Sequence, residues 1–202
     1  MNSEKIFSNT RFLLSVFLIK NLPEDTGSEI AFCGRSNSGK SSVLNAITGN
    51  KKLAKTSKTP GRTKAINIFS LDLENTKRIA DLPGYGFAKV SKKIQQEWWV
   101  LINFYLNNRL SLKGLVIIMD IRNPFRETDL SLINWCYQTE VPLLILLNKS
   151  DKLSRNKTIE EIKSAKNRLA TLGIIGKVLP FSAKKGKGID LVSKELCSWF
   201  YT

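Results

Sequence analysis

Residues 34–41 have the pattern Gly-x-x-x-x-Gly-Lys-Ser, the signature of a loop that wraps phosphate groups. Such a loop turns successive backbone N–H groups inward, and its glycines supply backbone angles that a side chain would obstruct. We predict that Lys40 reaches the β- and γ-phosphates of a nucleotide and that Ser41 ligates magnesium. The predicted nucleotide contacts in this loop are Gly34, Arg35, Ser36, Asn37, Ser38, Gly39, Lys40 and Ser41.

A second segment, Asn148-Lys149-Ser150-Asp151, matches the Asn-Lys-x-Asp pattern that recognises guanine. The Asp151 carboxylate can pair with N1–H and the exocyclic amine of guanine through two charge-assisted hydrogen bonds. Adenine lacks that pair of donors and would leave the carboxylate unpaired, at a cost of about 1–3 kcal/mol. We expect Asn148 to brace the loop and the apolar stem of Lys149 to lie across the base. A plain surface turn is the alternative for this segment alone, but the two motifs together predict GTP and GDP as ligands.

Two predicted strand ends carry further residues suited to the same ligand. Asp81-Leu82-Pro83-Gly84 ends one strand, and the ligands of open α/β sheets collect at such ends. We expect Asp81 to hold magnesium through a water molecule and the Gly84 N–H to contact the γ-phosphate. The alternative for Asp81 is an ordinary aspartate at a strand-to-turn junction. Phe181, Ser182 and Ala183 follow the last predicted strand, where a backbone N–H is expected to face guanine O6.

The hydrophobic pattern predicts the elements that position these loops. Apolar runs typical of strands cover residues 29–33, 65–73, 77–82, 113–120, 141–147 and 178–181. Apolar residues at helical spacing cover residues 41–48, 94–106, 128–137, 159–172 and 189–200. This alternation predicts α/β architecture: a single doubly wound domain with a mostly parallel, six- or seven-stranded sheet and helices on both faces.

The composition fits one folded domain and disfavours several kinds of chemistry. With 202 residues, of which 42% are hydrophobic, the chain can bury one core. It contains no histidine and three widely spaced cysteines, so no transition-metal site is expected. The cysteines predict small buried side chains in a reducing cytoplasm. The apolar run at residues 12–19 is too short to span a membrane, and we interpret it as a strand or short helix at the domain edge rather than a secretory signal.

The formal net charge of +15 favours a polyanionic partner. Basic residues crowd an acid-free stretch at positions 51–64: Lys51, Lys52, Lys55, Lys58, Arg62 and Lys64. We interpret this stretch as a surface for the RNA backbone. The alternatives are a lysine-rich composition that only solvates a loop, and a membrane-associated regulatory GTPase whose basic face binds anionic lipid. A small-molecule P-loop kinase is a further alternative, which the guanine-reading segment argues against.

The motifs and their order resemble those of the translation-factor class of GTPases. More narrowly, residues 34–42, Lys58-Thr59-Pro60-Gly61-Arg62-Thr63 and Asp81-Leu82-Pro83-Gly84-Tyr85-Gly86 resemble the bacterial EngB (YihA/YsxC) family. The resemblance implies an EngB-type G domain at residues 28–202 behind an N-terminal extension at residues 1–27. It also implies a GTPase that assists assembly of the large ribosomal subunit and supports cell division and septation. Separately, we expect the protein to be cytoplasmic and monomeric, without stable membrane association.

The resemblance assigns roles to residues beyond the phosphate loop. Thr63 corresponds to the switch threonine that completes the magnesium shell beside Ser41. The implied nucleotide contacts around it are Gly61, Arg62, Lys64 and Ala65. The polar segment at residues 50–64 is then the mobile switch, and we predict that the GTP form binds ribosomal RNA more tightly than the GDP form.

The residue after Asp-x-x-Gly is Tyr85, where Ras-like GTPases carry the glutamine that orients the attacking water. We therefore predict slow intrinsic hydrolysis that a partner accelerates. The catalytic candidates are Lys40, Thr63, Gly84 and Asn37. Similar GTPases with asparagine at the position of Asn37 bind a potassium ion that supplies positive charge between the phosphates, which makes K⁺ a candidate cofactor besides Mg²⁺.

Overall fold

Seven strands form one sheet in the computed structural model, which describes residues 3–54, 65–85 and 92–201. They are β1 Arg11–Val16, β2 Ser28–Gly34, β3 Ile66–Ser70, β4 Lys77–Asp81, β5 Leu112–Asp120, β6 Leu143–Asn148 and β7 Lys177–Pro180. Their order in the sheet is β1-β3-β4-β2-β5-β6-β7. The strands from β4 to β7 in this order are parallel, whereas β1 pairs antiparallel with β3 and β3 with β4. The mostly parallel sheet expected from the sequence is confirmed.

The described residues also form six α-helices, and these cover both faces of the sheet. They are α1 Ser3–Ser8, α2 Lys40–Thr48, α3 Lys92–Asn108, α4 Glu127–Thr139, α5 Arg155–Thr171 and α6 Ile189–Trp199. Buried side chains of α1, α2 and α6 share one core cluster, and those of α3, α4 and α5 share the other. This arrangement confirms the predicted doubly wound α/β domain.

Both faces of the central strands are buried, which explains their unbroken apolar runs. Along β5, Val116 and Ile118 pack in the layer of α2 and α6, while Leu115 and Ile117 pack in the layer of α3 to α5. All four side chains are fully buried. Because neighbouring residues of a strand point to opposite faces, a strand between two helical layers needs an apolar residue at every position.

The N-terminal residues contribute to the same sheet. Strand β1 forms its edge, and a short 3₁₀ helix follows at Ile19–Asn21. On the other face α1 lies against α6, and Phe7 is fully buried in the core. The sequence pointed to a strand or a short helix here, and the structure contains both. The domain boundary at residue 27 stays a prediction.

Helix α5 begins earlier than the hydrophobic pattern predicts. The expected start is residue 159, and the helix starts at Arg155. The reason is an N-cap, because the Ser154 hydroxyl accepts a hydrogen bond from the Lys157 N–H at 3.3 Å. Polar first turns of this kind carry no apolar periodicity, so the pattern alone misses them. Strand β6 shows the opposite error, because it starts at Leu143, after Pro142, rather than at residue 141.

A buried charge cluster fixes the amino ends of the central strands, away from the loops that carry the motifs. Glu29 is fully buried at the start of β2 and accepts hydrogen bonds from Arg78, Arg109 and Tyr105. The Arg109 guanidinium also donates to the carbonyl of Pro23. A buried carboxylate is tolerated only when it is paired and hydrogen-bonded, so these contacts hold the chain before β2 against β4 and the end of α3.

Two of the three cysteines are core residues. Cys33 and Cys136 are each 2% exposed, whereas Cys197 is half-buried. Burial raises the pKa of the Cys33 thiol and raises the pKa of Cys136 to about 12.

Within the described ranges, no helix is both long enough and apolar enough to cross a membrane.

The buried thiols predict a loss of stability in alkali. Above pH 9 the unfolded chain releases the thiol protons while the folded chain retains them, so the free energy of unfolding falls as pH rises. Each thiol contributes a slope of about 1.4 kcal/mol per pH unit. Urea unfolding between pH 8 and pH 10.5, with a reductant present, should therefore show a steeper decline for the wild type than for Cys33→Ala/Cys136→Ala. Parallel declines would contradict the assignment.

Candidate functional site

The phosphate loop joins the end of β2 to the start of α2, and two of its glycines are sterically required. A Cβ atom at Gly34 would lie 2.7 Å from the Ile118 carbonyl oxygen. Gly39 has φ of 94°, and a Cβ atom there would lie 2.4 Å from the Asn148 side-chain nitrogen. The loop can therefore approach β5 and the Asn148 loop closely only because these residues lack side chains.

Lys40 and Asp81 contact each other directly. Lys40 is the first residue of α2 and Asp81 the last residue of β4. The Lys40 ammonium donates to the Asp81 carboxylate, and their side chains are only 12% and 6% exposed. Ser41 follows Lys40 on the first turn of α2. The structure thus brings together three of the residues predicted to act on phosphate and magnesium.

The chain after β4 is bound to the phosphate loop. The Ser36 N–H donates to the Tyr85 carbonyl oxygen at 2.8 Å, and the Tyr85 N–H donates to the Gly34 carbonyl oxygen at 3.3 Å. Gly84 lies between these contacts and Asp81, where it is partly exposed. The segment that is predicted to contact the γ-phosphate therefore lies beside the loop that is predicted to cradle it.

Tyr85 points into the protein core. It is 3% exposed, and its hydroxyl donates to Asp129 near the start of α4 at 2.6 Å. Burial is the main cause that raises the pKa of this hydroxyl well above its usual value. The other Asp129 oxygen accepts the Arg126 N–H at 2.9 Å, which caps α4. A side chain held in this way cannot orient a water molecule beside the Gly84 N–H.

The Asn-Lys-x-Asp segment is bonded to the phosphate loop through its first two side chains. The Asn148 amide donates to the Ser38 carbonyl oxygen at 2.9 Å. The Lys149 ammonium donates to the Asn37 carbonyl oxygen at 2.6 Å. Both Asn37 and Lys149 have positive φ angles, of 66° and 65°. These contacts fix the separation between the predicted phosphate end and the predicted base end of the site.

Asp151 and the loop after β7 form the predicted base end. The Ser182 hydroxyl donates to the Asp151 carboxylate at 2.6 Å, and this bond is the main cause that lowers the pKa of Asp151. The Ala183 N–H, predicted to face guanine O6, donates to the Asn148 side-chain oxygen at 3.3 Å. The Ser150 N–H donates to the Phe181 carbonyl oxygen at 3.0 Å. The two loops therefore hold each other in place.

Four predicted contact residues have apolar side chains that are buried. Ala65, Leu82 and Phe181 are at most 2% exposed, and Pro83 is also buried, so only their backbone groups could take part. Gly61, Arg62, Thr63 and Lys64 lie outside the described residues. Ser38 has a buried hydroxyl with no hydrogen-bond partner among the described residues.

Sequence reasoning did not identify Asp120 or Arg122 as part of the site. Asp120 ends β5, and its carboxylate accepts from Lys149 at 2.9 Å and from Arg122 at 2.7 Å. The Arg122 guanidinium is the main cause that holds the pKa of Asp120 well below its usual value. The available signal was the position of Asp120 at the carboxyl end of a buried parallel strand, where ligands of such sheets bind.

Comparison with known proteins identifies the family. A model for the family described as "50S ribosome-binding GTPase" matches residues 29–149. The chain is 46% identical over 204 residues to a probable GTP-binding protein EngB of Shewanella amazonensis, covering 98% of this chain and 93% of that protein.

Solved structures show the same fold. A crystal structure of a probable GTP-binding protein EngB matches with a TM-score of 0.69 and 23% identity, over 86% of this chain and 99% of that one. Era, crystallised with MgGDPNP and a segment of 16S ribosomal RNA, matches with a TM-score of 0.68 and 20% identity, over 86% of this chain and 57% of that one. With its phosphate loop, Asn-Lys-x-Asp segment and G-domain sheet, the chain belongs to the EngB family of GTP-binding proteins and has the P-loop GTPase domain of that family.

Proposed function

We propose that this GTPase is a magnesium-dependent, cytoplasmic and monomeric switch that docks on the large ribosomal subunit during assembly and so supports cell division and septation. The observation that carries the nucleotide site is the pair of hydrogen bonds from Asn148 and Lys149 to the phosphate loop. They set the base-reading and phosphate-reading loops at one fixed spacing, as one bound nucleotide requires. The family description as a ribosome-binding GTPase supports the partner.

At the phosphate end, Lys40 would hold the β- and γ-phosphates and the Gly84 N–H would contact the γ-phosphate. Lys40 and Asp81 lie in contact, so a phosphate oxygen that binds Lys40 would enter next to the Asp81 carboxylate. The buried Ser38 hydroxyl supports the presence of ligand oxygens in this loop. Thr63 would complete the site from the segment outside the described residues.

The donor set at this end suits magnesium, which prefers oxygen ligands and keeps several of its waters. The Ser41 hydroxyl would bind it directly, and Asp81 would bind through water. Thr63 is the third proposed ligand. Bound magnesium neutralises charge that develops between the β- and γ-phosphates during transfer.

At the base end, Asp151 would accept both guanine donors. The Ser182 hydroxyl holds one of its oxygens in place and lowers its pKa below the ordinary value. Lys149 would lie across the base because its ammonium is anchored at both Asn37 and Asp120. The chain's own residues thus fix orientation and charge before the nucleotide arrives, which reduces the cost of binding.

Intrinsic hydrolysis should be slow, because Tyr85 is buried against Asp129 and no glutamine occupies its position. A partner would then supply the missing acceleration.

Docking can be tested by sedimentation of the tagged protein with purified large ribosomal subunits. We expect stronger binding with a nonhydrolysable GTP analogue than with GDP, and a steep loss of binding as salt rises from about 50 to about 200 mM. Lys40→Ala is the control, because it should remove the nucleotide response. Equal binding in the two nucleotide states would contradict the switch.

The role of Asp120 can be tested by a double-mutant cycle with Lys149. Asp120→Ala should weaken GTP and GDP alike, by about fivefold, because it frees a lysine that contacts the base common to both. The hydrolysis rate at saturating GTP should not change. In a Lys149→Ala background the same substitution should have no further effect on the dissociation constant, measured by calorimetry. Fully additive effects would show that Asp120 does not act through Lys149.

A potassium ion beside Asn37 is proposed as the source of positive charge between the phosphates. Hydrolysis in potassium buffer should exceed that in sodium buffer by on the order of tenfold to a hundredfold. Asn37→Ala should abolish the difference, whereas Asn167→Ala, at an exposed position on α5, should preserve it. Equal rates in the two buffers together with a silent Asn37→Ala would reject the potassium site.

A further inference from the structure

Six exposed basic residues lie on, or directly after, the two loops that carry Asp151 and Ala183. They are Lys152, Arg155 and Lys157, where β6 leads into α5, and Lys184, Lys185 and Lys187, where β7 leads into α6. We call this set the guanine-side basic surface. It is separate from the basic stretch at residues 51–64, most of which lies outside the described residues.

These cations form no close ion pair, unlike seven other basic residues in the described part of the chain. Arg78 is paired with Glu29, Arg122 with Asp120, and Lys177 with Glu195. Across the described ranges, no member of the guanine-side basic surface forms a salt bridge within 4.0 Å. Their charge therefore remains available to an external anion.

Two of them are placed where the helix itself opposes positive charge. Arg155 and Lys157 lie in the first turn of α5, which contains no acidic residue. The helix dipole makes cations unfavourable at this end. Selection for stability would favour acids there, so the basic residues point to a role outside the fold.

The loop that carries the three lysines has a fixed shape. The Ser182 N–H donates to the Lys187 carbonyl oxygen at 3.0 Å, and the Lys187 N–H donates back at 3.2 Å. Gly188 has φ of 88°, and a Cβ atom there would lie 2.6 Å from the Pro180 carbonyl oxygen. A rigid loop loses little conformational entropy when it binds a polyanion.

The same loop is joined to the guanine-reading carboxylate. Ser182 holds Lys187 through its backbone and Asp151 through its hydroxyl. Lys152 and Lys184 also act on Asp151 electrostatically and help to lower its pKa. A ligand seated on these lysines would therefore restrain the group that holds the base.

We infer that the guanine-side basic surface binds the phosphate backbone of RNA and that this binding slows release of the guanine nucleotide. The inference rests on the proposed function, from which it takes GTP as the ligand and the ribosomal subunit as the partner. Because linkage is reciprocal, a bound nucleotide raises the affinity for RNA by the same factor by which RNA raises the affinity for the nucleotide. Guanine is common to GTP and GDP. The affinity of this surface for RNA should therefore depend on whether a guanine nucleotide is bound, and not on which of the two is bound.

RNA fits this surface better than a membrane does. In the described residues 149–157 and 182–188, no large apolar side chain is exposed that could insert into a bilayer. RNA offers regularly spaced phosphates to lysines on two adjacent loops, and such binding is electrostatic and salt-dependent.

The test compares two triple charge reversals of equal charge. Lys184→Glu/Lys185→Glu/Lys187→Glu alters the surface, and Lys163→Glu/Lys166→Glu/Lys194→Glu alters exposed positions on α5 and α6. Filter binding uses deproteinised large-subunit ribosomal RNA. We expect the surface variant to lose at least about tenfold in affinity, and the slope of log affinity against log salt concentration to become shallower by about 2–3. The control variant should lose much less affinity. Equal losses would overturn the inference.

The coupling is measured by release of a fluorescent GDP and a fluorescent GTP analogue. In the wild type and the control variant, added RNA should slow the release of each nucleotide about fivefold. In the surface variant it should slow neither. Ser182→Ala should still bind RNA but lose the effect on release. Release rates that RNA leaves unchanged in the wild type would overturn the coupling.

Vesicles containing about one-third phosphatidylserine provide the remaining comparison. Vesicle binding as strong as RNA binding, and equally sensitive to the surface variant, would overturn the choice of RNA. If the surface variant binds ribosomal subunits like the wild type and still responds to GTP, only this inference fails. If calorimetry shows no guanine nucleotide binding by the wild type, the proposed function fails instead.

Discussion

The hydrogen bond from the Asn148 amide to the Ser38 carbonyl oxygen is the contact on which the site depends. It joins two loops that leave different strands, and the same amide accepts the Ala183 N–H from a third loop. An asparagine can do this because it offers donors and an acceptor on one short side chain. Its close approach to Gly39 is possible only because that residue has no Cβ atom. One buried amide thus sets the distance between the predicted phosphate end and the predicted base end.

The sheet places charge differently at its two ends. At the amino ends of the parallel strands, Glu29 is fully buried and neutralised by two arginines. At the carboxyl ends, Asp81 is the last residue of β4, and Lys40 and Asp151 follow β2 and β6 in the chain. Groups that serve the fold can be saturated with partners, whereas groups that meet a ligand must exchange partners when it arrives. The charge cluster at the amino ends therefore holds the strands in register, whereas the groups at the carboxyl ends remain able to bind a ligand.

Much of the fold followed from periodicity. The apolar runs of β5 and β6 predicted strands buried on both faces, and the structure places their side chains alternately in two core layers. The errors occurred where local polar chemistry decides the boundary. Ser154 starts α5 before any apolar residue appears, and its capping bond cannot be seen in a hydrophobic pattern. The hydrophobic pattern also left open whether residues 12–19 form a strand or a short helix. Strand β1 forms by pairing with β3, a contact between distant parts of the chain that no local pattern contains.

By itself the sequence determined the chemistry of the loops: a phosphate-wrapping glycine pattern, a lysine and a hydroxyl beside it, and a carboxylate suited to guanine. These properties reside in residue types at short spacing, so they survive without coordinates. Only the tertiary structure decided that Asp120 anchors Lys149, that Tyr85 is turned toward Asp129, and that Ser182 connects a lysine loop to Asp151. Each of these contacts joins residues that follow different strands in the chain, and their distances are fixed by how the elements pack and not by the local sequence.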